Sequence, residues 1–334
     1  MKRRSFIHNG AKAGIAFSLL GAYACKDGAK EKSKTDVDES INIPDTTPFF
    51  KLSLAQWSIN RMIRRDGMNP YRFAEKAKSW GFTGLEYVSQ LYKPELEETN
   101  YSEEAMQNFV AKNNAEAKKY GLTNLLIMID SEGPLAAIDA KERKEAIESH
   151  YKWVNAAADM GCHSIRVNLQ GAMEKEPWIK ASVDGLTQLA TYAKDKNINI
   201  IVENHGGPSS NASWLASVMQ KVNMDNCGTL PDFGNFCVVR ENGSYYDSKC
   251  LEEYDKYQGV QELMPFAKAV SAKTYDFDKE GNEAKIDYVR MMQIVKDAGY
   301  NGYVGVEYEG DILGEEEGII ATKNLLLKTI DELT

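Results

Sequence analysis

The chain lacks the residues that usually announce soft-metal or redox chemistry. His8, His150, His163 and His205 are its only histidines in 334 residues. Its five cysteines, Cys25, Cys162, Cys227, Cys237 and Cys250, form no CxxC pair. That excludes a zinc ribbon and a thioredoxin-like motif, while spacing alone does not say which thiols pair. Basic residues are in deficit: 40 Lys and Arg against 49 Asp and Glu give a formal net charge of −9. Nucleic acid is therefore not an expected partner, nor is an anionic membrane a general docking surface, because both need a basic face. No glycine-rich fingerprint follows the first apolar strand, where SINRMIRRDGMNP stands. No nucleotide cofactor is expected, and an open doubly wound sheet is disfavoured. No short internal repeat is visible.

The N-terminus reads as a targeting segment. Residues 1–25 carry Lys2, Arg3 and Arg4 before the weakly apolar run Ala13–Ala24, which is too short to span a bilayer. KRRSF resembles a twin-arginine export signal. Ala22-Tyr23-Ala24 fits ordinary signal-peptidase cleavage, whereas Ala24-Cys25 fits a loose lipoprotein box with Cys25 acylated. Both readings stay open, and both place the protein in the periplasm or cell envelope. Residues 26–48 are polar and of mixed charge, as in a flexible tether. The expected domains are a signal peptide at 1–25, a linker at 26–48 and one folded unit at 49–334.

From Phe50 onward, apolar runs alternate with amphipathic ones. Strands are predicted at Phe50–Trp57, Gly81–Val88, Leu122–Asp130, His163–Leu169, Ile198–Glu203, Cys227–Asp232, Ala269–Asp276 and Gly302–Tyr308. A helical pattern follows each, and a long, tyrosine-rich, charged connection lies between Asp232 and the helix near Gln258. Eight such units are what an α/β fold of the (β/α)8 TIM-barrel type requires.

The stretch INIIVENHGGP, Ile198–Pro208, shows how such a strand ends. Side chains alternate, so Glu203 and His205 emerge on one side, and Gly206 and Gly207 turn the chain and leave room above them. Reactive groups in barrels sit at the C-terminal strand ends. Here these read Trp57, Glu86, Asp130, Asn168, Glu203, Asp232, Lys273 and Glu307. Asn168 is taken as the rim residue of the fourth strand in preference to Arg166. Glu203, Asp232 and Glu307 can converge, and a divalent cation is the usual remedy for close like charges. Trp57, Tyr87, Trp178 and Tyr275 are candidate stacking faces for a sugar.

VENHGG, PDFGNF, SAKTYDFD and GYVGVEYEG, in that order, resemble the xylose-isomerase-like TIM-barrel superfamily, which includes sugar phosphate isomerase/epimerase-type proteins. The resemblance implies a divalent metal on Glu203, Asp232 and Glu307. The histidine expected as fourth ligand on strand seven is replaced by Ser271, in Ser271-Ala272-Lys273. Three outcomes follow. Water fills the vacancy in an all-oxygen site suited to Mg²⁺, Mn²⁺ or Ca²⁺ rather than Zn²⁺; His205 swings in; or Lys273 neutralises the carboxylates without a metal. The endonuclease branch, whose metal cluster draws on many histidines, is disfavoured by the scarcity of histidine.

The implied activity is that of a carbohydrate isomerase, epimerase or lyase. Glu203 and Glu307 would exchange a proton beside a carbonyl, with Lys273 as charge partner. Trp57, Glu86, Asn168 and Asn235 are the expected substrate contacts. The alternative is a non-catalytic, exported saccharide-binding protein on a degenerate barrel. Either way the partner is a small carbohydrate, membrane contact runs only through an anchor at Cys25, and oligomerisation stays open.

Overall fold

In a computed structural model, residues 48–246 and 248–333 are described; the export segment, Cys25 and nearly all of the tether lie outside them. Ten strands are β1 (Lys51–Ala55), β2 (Gly84–Val88), β3 (Thr123–Ile129), β4 (Ser164–Val167), β5 (Asn199–Glu203), β6 (Cys227–Leu230), β7 (Cys237–Arg240), β8 (Cys250–Glu253), β9 (Val270–Thr274) and β10 (Tyr303–Tyr308). Ten helices are α1 (Asn60–Arg64), α2 (Phe73–Ser79), α3 (Lys93–Glu97), α4 (Glu103–Tyr120), α5 (Ala140–Asp159), α6 (Lys175–Lys194), α7 (Ala212–Val222), α8 (Lys256–Leu263), α9 (Tyr288–Asp297) and α10 (Glu315–Glu332). Side-chain oxygens mark several starts. Ser102 caps α4, Asp139 caps α5, Asn211 caps α7 and Asp287 caps α9, each accepting from a backbone N–H of the first turn.

Eight parallel strands run in the order β6-β5-β4-β3-β2-β1-β10-β9. The ring closes between β6 and β9 through two parallel bridges, Thr229 to Ala267 and Asp232 to Ser271. This is the (β/α)8 TIM barrel expected from the alternation. The outward set, including Leu54, Ile127, Ile165, Val202, Ala272 and Val306, is wholly buried beneath the helices. The inward set is unusual. Barrel interiors are normally filled with branched aliphatics, but Ser53, Glu86, Arg166, Glu203, Ser271, Lys273 and Glu307 are all at most 3% exposed.

Two expectations are corrected. The connection after β6 is not merely a charged loop, since β7 and β8 form an antiparallel hairpin cross-linked by a Cys237–Cys250 disulfide. Its alternation is too short and too polar on the outer face to read as a strand pair. The first strand also ends earlier than expected, because residues 56–59 form a 3₁₀ turn.

The disulfide closes a loop with a sequence separation of 13 residues. Replacing both Cys237 and Cys250 by serine should lower unfolding free energy by up to about 3 kcal/mol and hasten proteolysis within residues 241–249. Urea denaturation and limited digestion check this; an unchanged midpoint and cleavage rate would show the staple to be idle.

Candidate active site

The polar interior gathers at the C-terminal end of the barrel. Glu203 ends β5, Glu307 lies on β10, and Asp232 sits just past β6 at the closing bridge. One carboxylate oxygen from each lies within 4.8 Å of the others. Asp232 is fixed by the turn that follows it, its Oδ1 accepting from the backbone N–H of Gly234 at 2.9 Å and of Asn235 at 2.8 Å. Its own N–H donates to Asn204. Asn235 Nδ2 donates to Glu203 Oε1 at 3.0 Å.

Ser271 stands where a histidine was expected, and its position decides much of the chemistry. Its hydroxyl lies 2.6 Å from Asp232 Oδ2 and 2.9 Å from Glu307 Oε2. A hydroxyl has one proton to give. Facing two carboxylate oxygens, it can satisfy only one of them fully at a time. Of the three carboxyls, Asp232 is the one most inclined to keep a proton. Burial, opposed by Lys273 and reinforced by Glu203 and Glu307, pushes it up to about 8.

Two buried cations serve five carboxylates. Arg166 Nη1 is 2.5 Å from Asp130 Oδ1, and its Nε is 2.8 Å from Glu203 Oε2. Lys273 Nζ is 3.2 Å from Glu307, 3.1 Å from Glu309 and 3.9 Å from Asp232. Fully ionised, these groups would carry a net charge of −3 in a low-dielectric interior, which is strongly unfavourable. Burial accordingly raises Glu203 to about 7, against the pull of Arg166. Burial acts on Glu307 too, but Lys273 and Arg166 outweigh it and hold that carboxyl below its ordinary range. Lys273 stays protonated, because the surrounding carboxylates outweigh its burial.

The residues fit a divalent cation. The donors are all oxygens, as hard cations prefer. The Arg166 Nε to Glu203 Oε2 approach lacks hydrogen-bond geometry, so that buried carboxylate oxygen keeps an unused acceptor. A dication would also offset most of the surplus charge.

Above the cluster opens a hollow of about 810 Å³, lined among others by Trp57, Asn168, His205, Asn235, Tyr246 and Tyr275. Trp57, Asn168 and Asn235, named as candidate contacts, are among its lining residues. Glu86 is not. It lies deeper in the barrel, where Ser53 Oγ donates to it at 2.6 Å and a Cβ on Gly305 would meet it at 2.5 Å. Tyr87 and Trp178 are corrected as stacking faces. Tyr87 packs edge-on against Phe73 with its hydroxyl on Asn124, and Trp178 is wholly buried with its indole N–H on Leu169 O. His205 stands apart from the carboxylate cluster, its Nδ1 3.1 Å from the Tyr246 hydroxyl. The preference for Asn168 over Arg166 is also corrected. Residues two apart on a strand share a face, and Arg166 Nη1 donates to Asn168 Oδ1 at 3.2 Å. Arg166 was legible from that parity. Tyr246 was not, because nothing in the connection shows it folding back over the mouth.

The sequence pattern of the Xylose isomerase-like TIM barrel family matches residues 74–329. The chain belongs to this family. The C-glycoside deglycosidase alpha subunit of Arthrobacter globiformis is 36% identical over 77 residues, 21% of this chain. The match spans only 22% of that relative's length. The 3-keto-D-glucoside 4-epimerase YcjR of E. coli superposes with a TM-score of 0.59 at 14% identity, covering 83% of this chain and 98% of its own. The IolI protein, solved with a bound zinc atom, gives a TM-score of 0.62 at 17% identity, covering 85% and 99%. At such identities these structures establish the shared fold of family members.

Glu86 supplies a test of the interior's electrostatics. Burial, eased by Ser53, raises it from 4.5 to about 8. The folded chain therefore keeps a proton that the unfolded chain releases near 4.5. The resulting stability is complete below that pH and is lost as pH rises through about 8. Glu86→Gln removes the dependence. From pH 5 to pH 9 the variant should gain on the wild type by on the order of 2–4 kcal/mol. Parallel urea curves at the two pH values read this, and a constant gap would contradict the assignment.

Proposed function

We propose that this hollow is the active site of a carbohydrate isomerase, epimerase or lyase that works by proton transfer beside a carbonyl. The observation that carries the reading is the convergence of Glu203, Asp232 and Glu307, within 4.8 Å of one another, beneath an open mouth. Glu203, raised to about 7, suits a group that takes and returns a proton near neutrality. Glu307, held ionised by Lys273, suits the partner base. In the first step a substrate C–H bond breaks, the proton passes to a carboxylate oxygen, and the electron pair moves onto the carbonyl oxygen. Reprotonation at carbon yields an epimer or isomer, whereas expulsion of a β-substituent yields an elimination product. The relative named as a C-glycoside deglycosidase subunit adds weight to the elimination branch.

Glu203, Asp232 and Glu307 would hold a divalent metal, with Ser271 beside them. Such an ion would polarise the carbonyl and stabilise developing negative charge. The all-oxygen donor set favours Mg²⁺, Mn²⁺ or Ca²⁺ over Zn²⁺. Trp57, Asn168 and Asn235 would orient the sugar. The proposal also places the folded unit at 49–334 behind an export signal. The Cys237–Cys250 disulfide supports a location outside the reducing cytoplasm.

A second reading keeps the sugar and drops the reaction. The proximity of Lys273 Nζ to Glu307 and Asp232 favours it, since an internal cation already serves the carboxylates. The two readings separate in D₂O. On the first, keto-sugars incubated with the protein exchange a carbon-bound hydrogen, and Glu203→Gln or Glu307→Gln slows exchange by roughly 100-fold or more. On the second, sugars bind without exchange. Exchange unaffected by either substitution would remove both residues from the chemistry. Ser271→His should further shift metal preference toward Zn²⁺, read by metal content after equilibration with mixed ions; an unchanged preference would detach Ser271 from metal selection.

A further inference from the structure

The hairpin of β7 and β8 has no part in closing the barrel, yet much of its bonding is directed at the mouth. The Cys237–Cys250 disulfide cross-links its two strands. Arg240 holds both arms of its loop, Nε donating to Tyr245 O at 3.0 Å and Nη1 to Ser248 O at 2.6 Å. Tyr245 anchors the loop to the barrel, its hydroxyl accepting from the Gly171 N–H at 2.9 Å. The backbone of Tyr245 lies so close to β5's exit that a Cβ on Gly206 would come within 2.4 Å of its carbonyl oxygen. Gly206 also has φ +83°, a conformation that glycine adopts freely. The room that the paired glycines leave is thus filled by this loop.

The result is one tyrosine held over the hollow. Tyr246 is 43% exposed and lines the mouth together with His205. Its ring packs on the His205 ring with centroids 4.8 Å apart. Its hydroxyl oxygen accepts from Gln170 Nε2 at 2.5 Å and lies 3.1 Å from His205 Nδ1. With the imidazole proton on Nδ1 the phenol accepts there and its O–H is free; with the proton on Nε2 the phenol donates to Nδ1 and one lone pair is free. In either tautomer the phenol keeps one hydrogen-bonding function unused among the described residues.

We propose that Tyr246 is a substrate-binding residue whose hydroxyl forms a hydrogen bond with a hydroxyl group of the bound sugar. Gln170 and His205 act as positioning residues that hold its hydroxyl over the hollow, and the disulfide-tied hairpin carries it. This rests on the carbohydrate reading of the site and adds a specificity determinant from outside the barrel strands. It also gives His205 a task away from the carboxylates.

The experiment compares wild type with Tyr246→Phe by calorimetric titration of D-fructose, D-psicose, D-tagatose and methyl 3-keto-β-D-glucoside, with urea midpoints in parallel. The substitution removes one hydroxyl from a part-exposed ring, so the fold should tolerate it. The expected result is at least one sugar bound by the wild type, and bound roughly tenfold more weakly by the variant, with the urea midpoint unchanged. Equal sugar binding by both proteins would overturn this inference and leave the proposed site standing. Weaker binding with a lowered midpoint would also overturn it, by assigning the hydroxyl to support of the hairpin. Failure of every sugar to bind either protein would remove the carbohydrate reading and this inference with it.

Discussion

The structure depends on burying more carboxylates than cations at the closing seam of a barrel. Each ionised group taken from water costs several kcal/mol unless fixed partners replace its hydration. The interior meets that cost with built parts. Arg166 bridges Asp130 and Glu203, Lys273 joins Glu307 to Glu309, and the turn after Asp232 offers it two backbone N–H groups. What these leave uncompensated is taken up by protons, on Asp232 and, near neutrality, on Glu203. Surplus negative charge held in this way is an affinity for positive charge, whether a proton taken from a substrate or a metal ion.

Ser271 is where this chain departs from the pattern its resemblance led us to expect. A histidine there would add a nitrogen ligand. The serine instead lies between Asp232 and Glu307, within hydrogen-bond reach of both. The replacement changes the chemistry without dismantling the site, because a hydroxyl is small enough to sit between two carboxylates at the bridge where β6 meets β9. The acids around it keep specific partners, apart from the unused Oε2 of Glu203.

Much of this was legible in the sequence because barrels obey two strong periodicities. Alternation along β5 and β10 put Glu203 and Glu307 on inward faces, and the βα rhythm set the order of all eight barrel strands. Legibility failed where tertiary contacts override local pattern. Glu86 obeys the same alternation but lies too deep to reach the mouth, and depth along a strand is not written in parity. Tyr87 and Trp178 look like rim aromatics only until the helices cover them. The hairpin after β6 is polar and short, and its fold rests on a disulfide and on contacts with Gly171 and Gly206. None of these is local in the chain.

On the proposed function, protons and a divalent cation would compete for the same three carboxylates. Calorimetric titration of Mn²⁺ at pH 7, repeated in buffers of different ionisation enthalpy, counts the protons released as metal enters. Saturable binding at one site with release of about one proton or more per ion is expected, both lost in Asp232→Asn. Absence of binding, or binding that releases no proton and survives that substitution, would contradict that proposal.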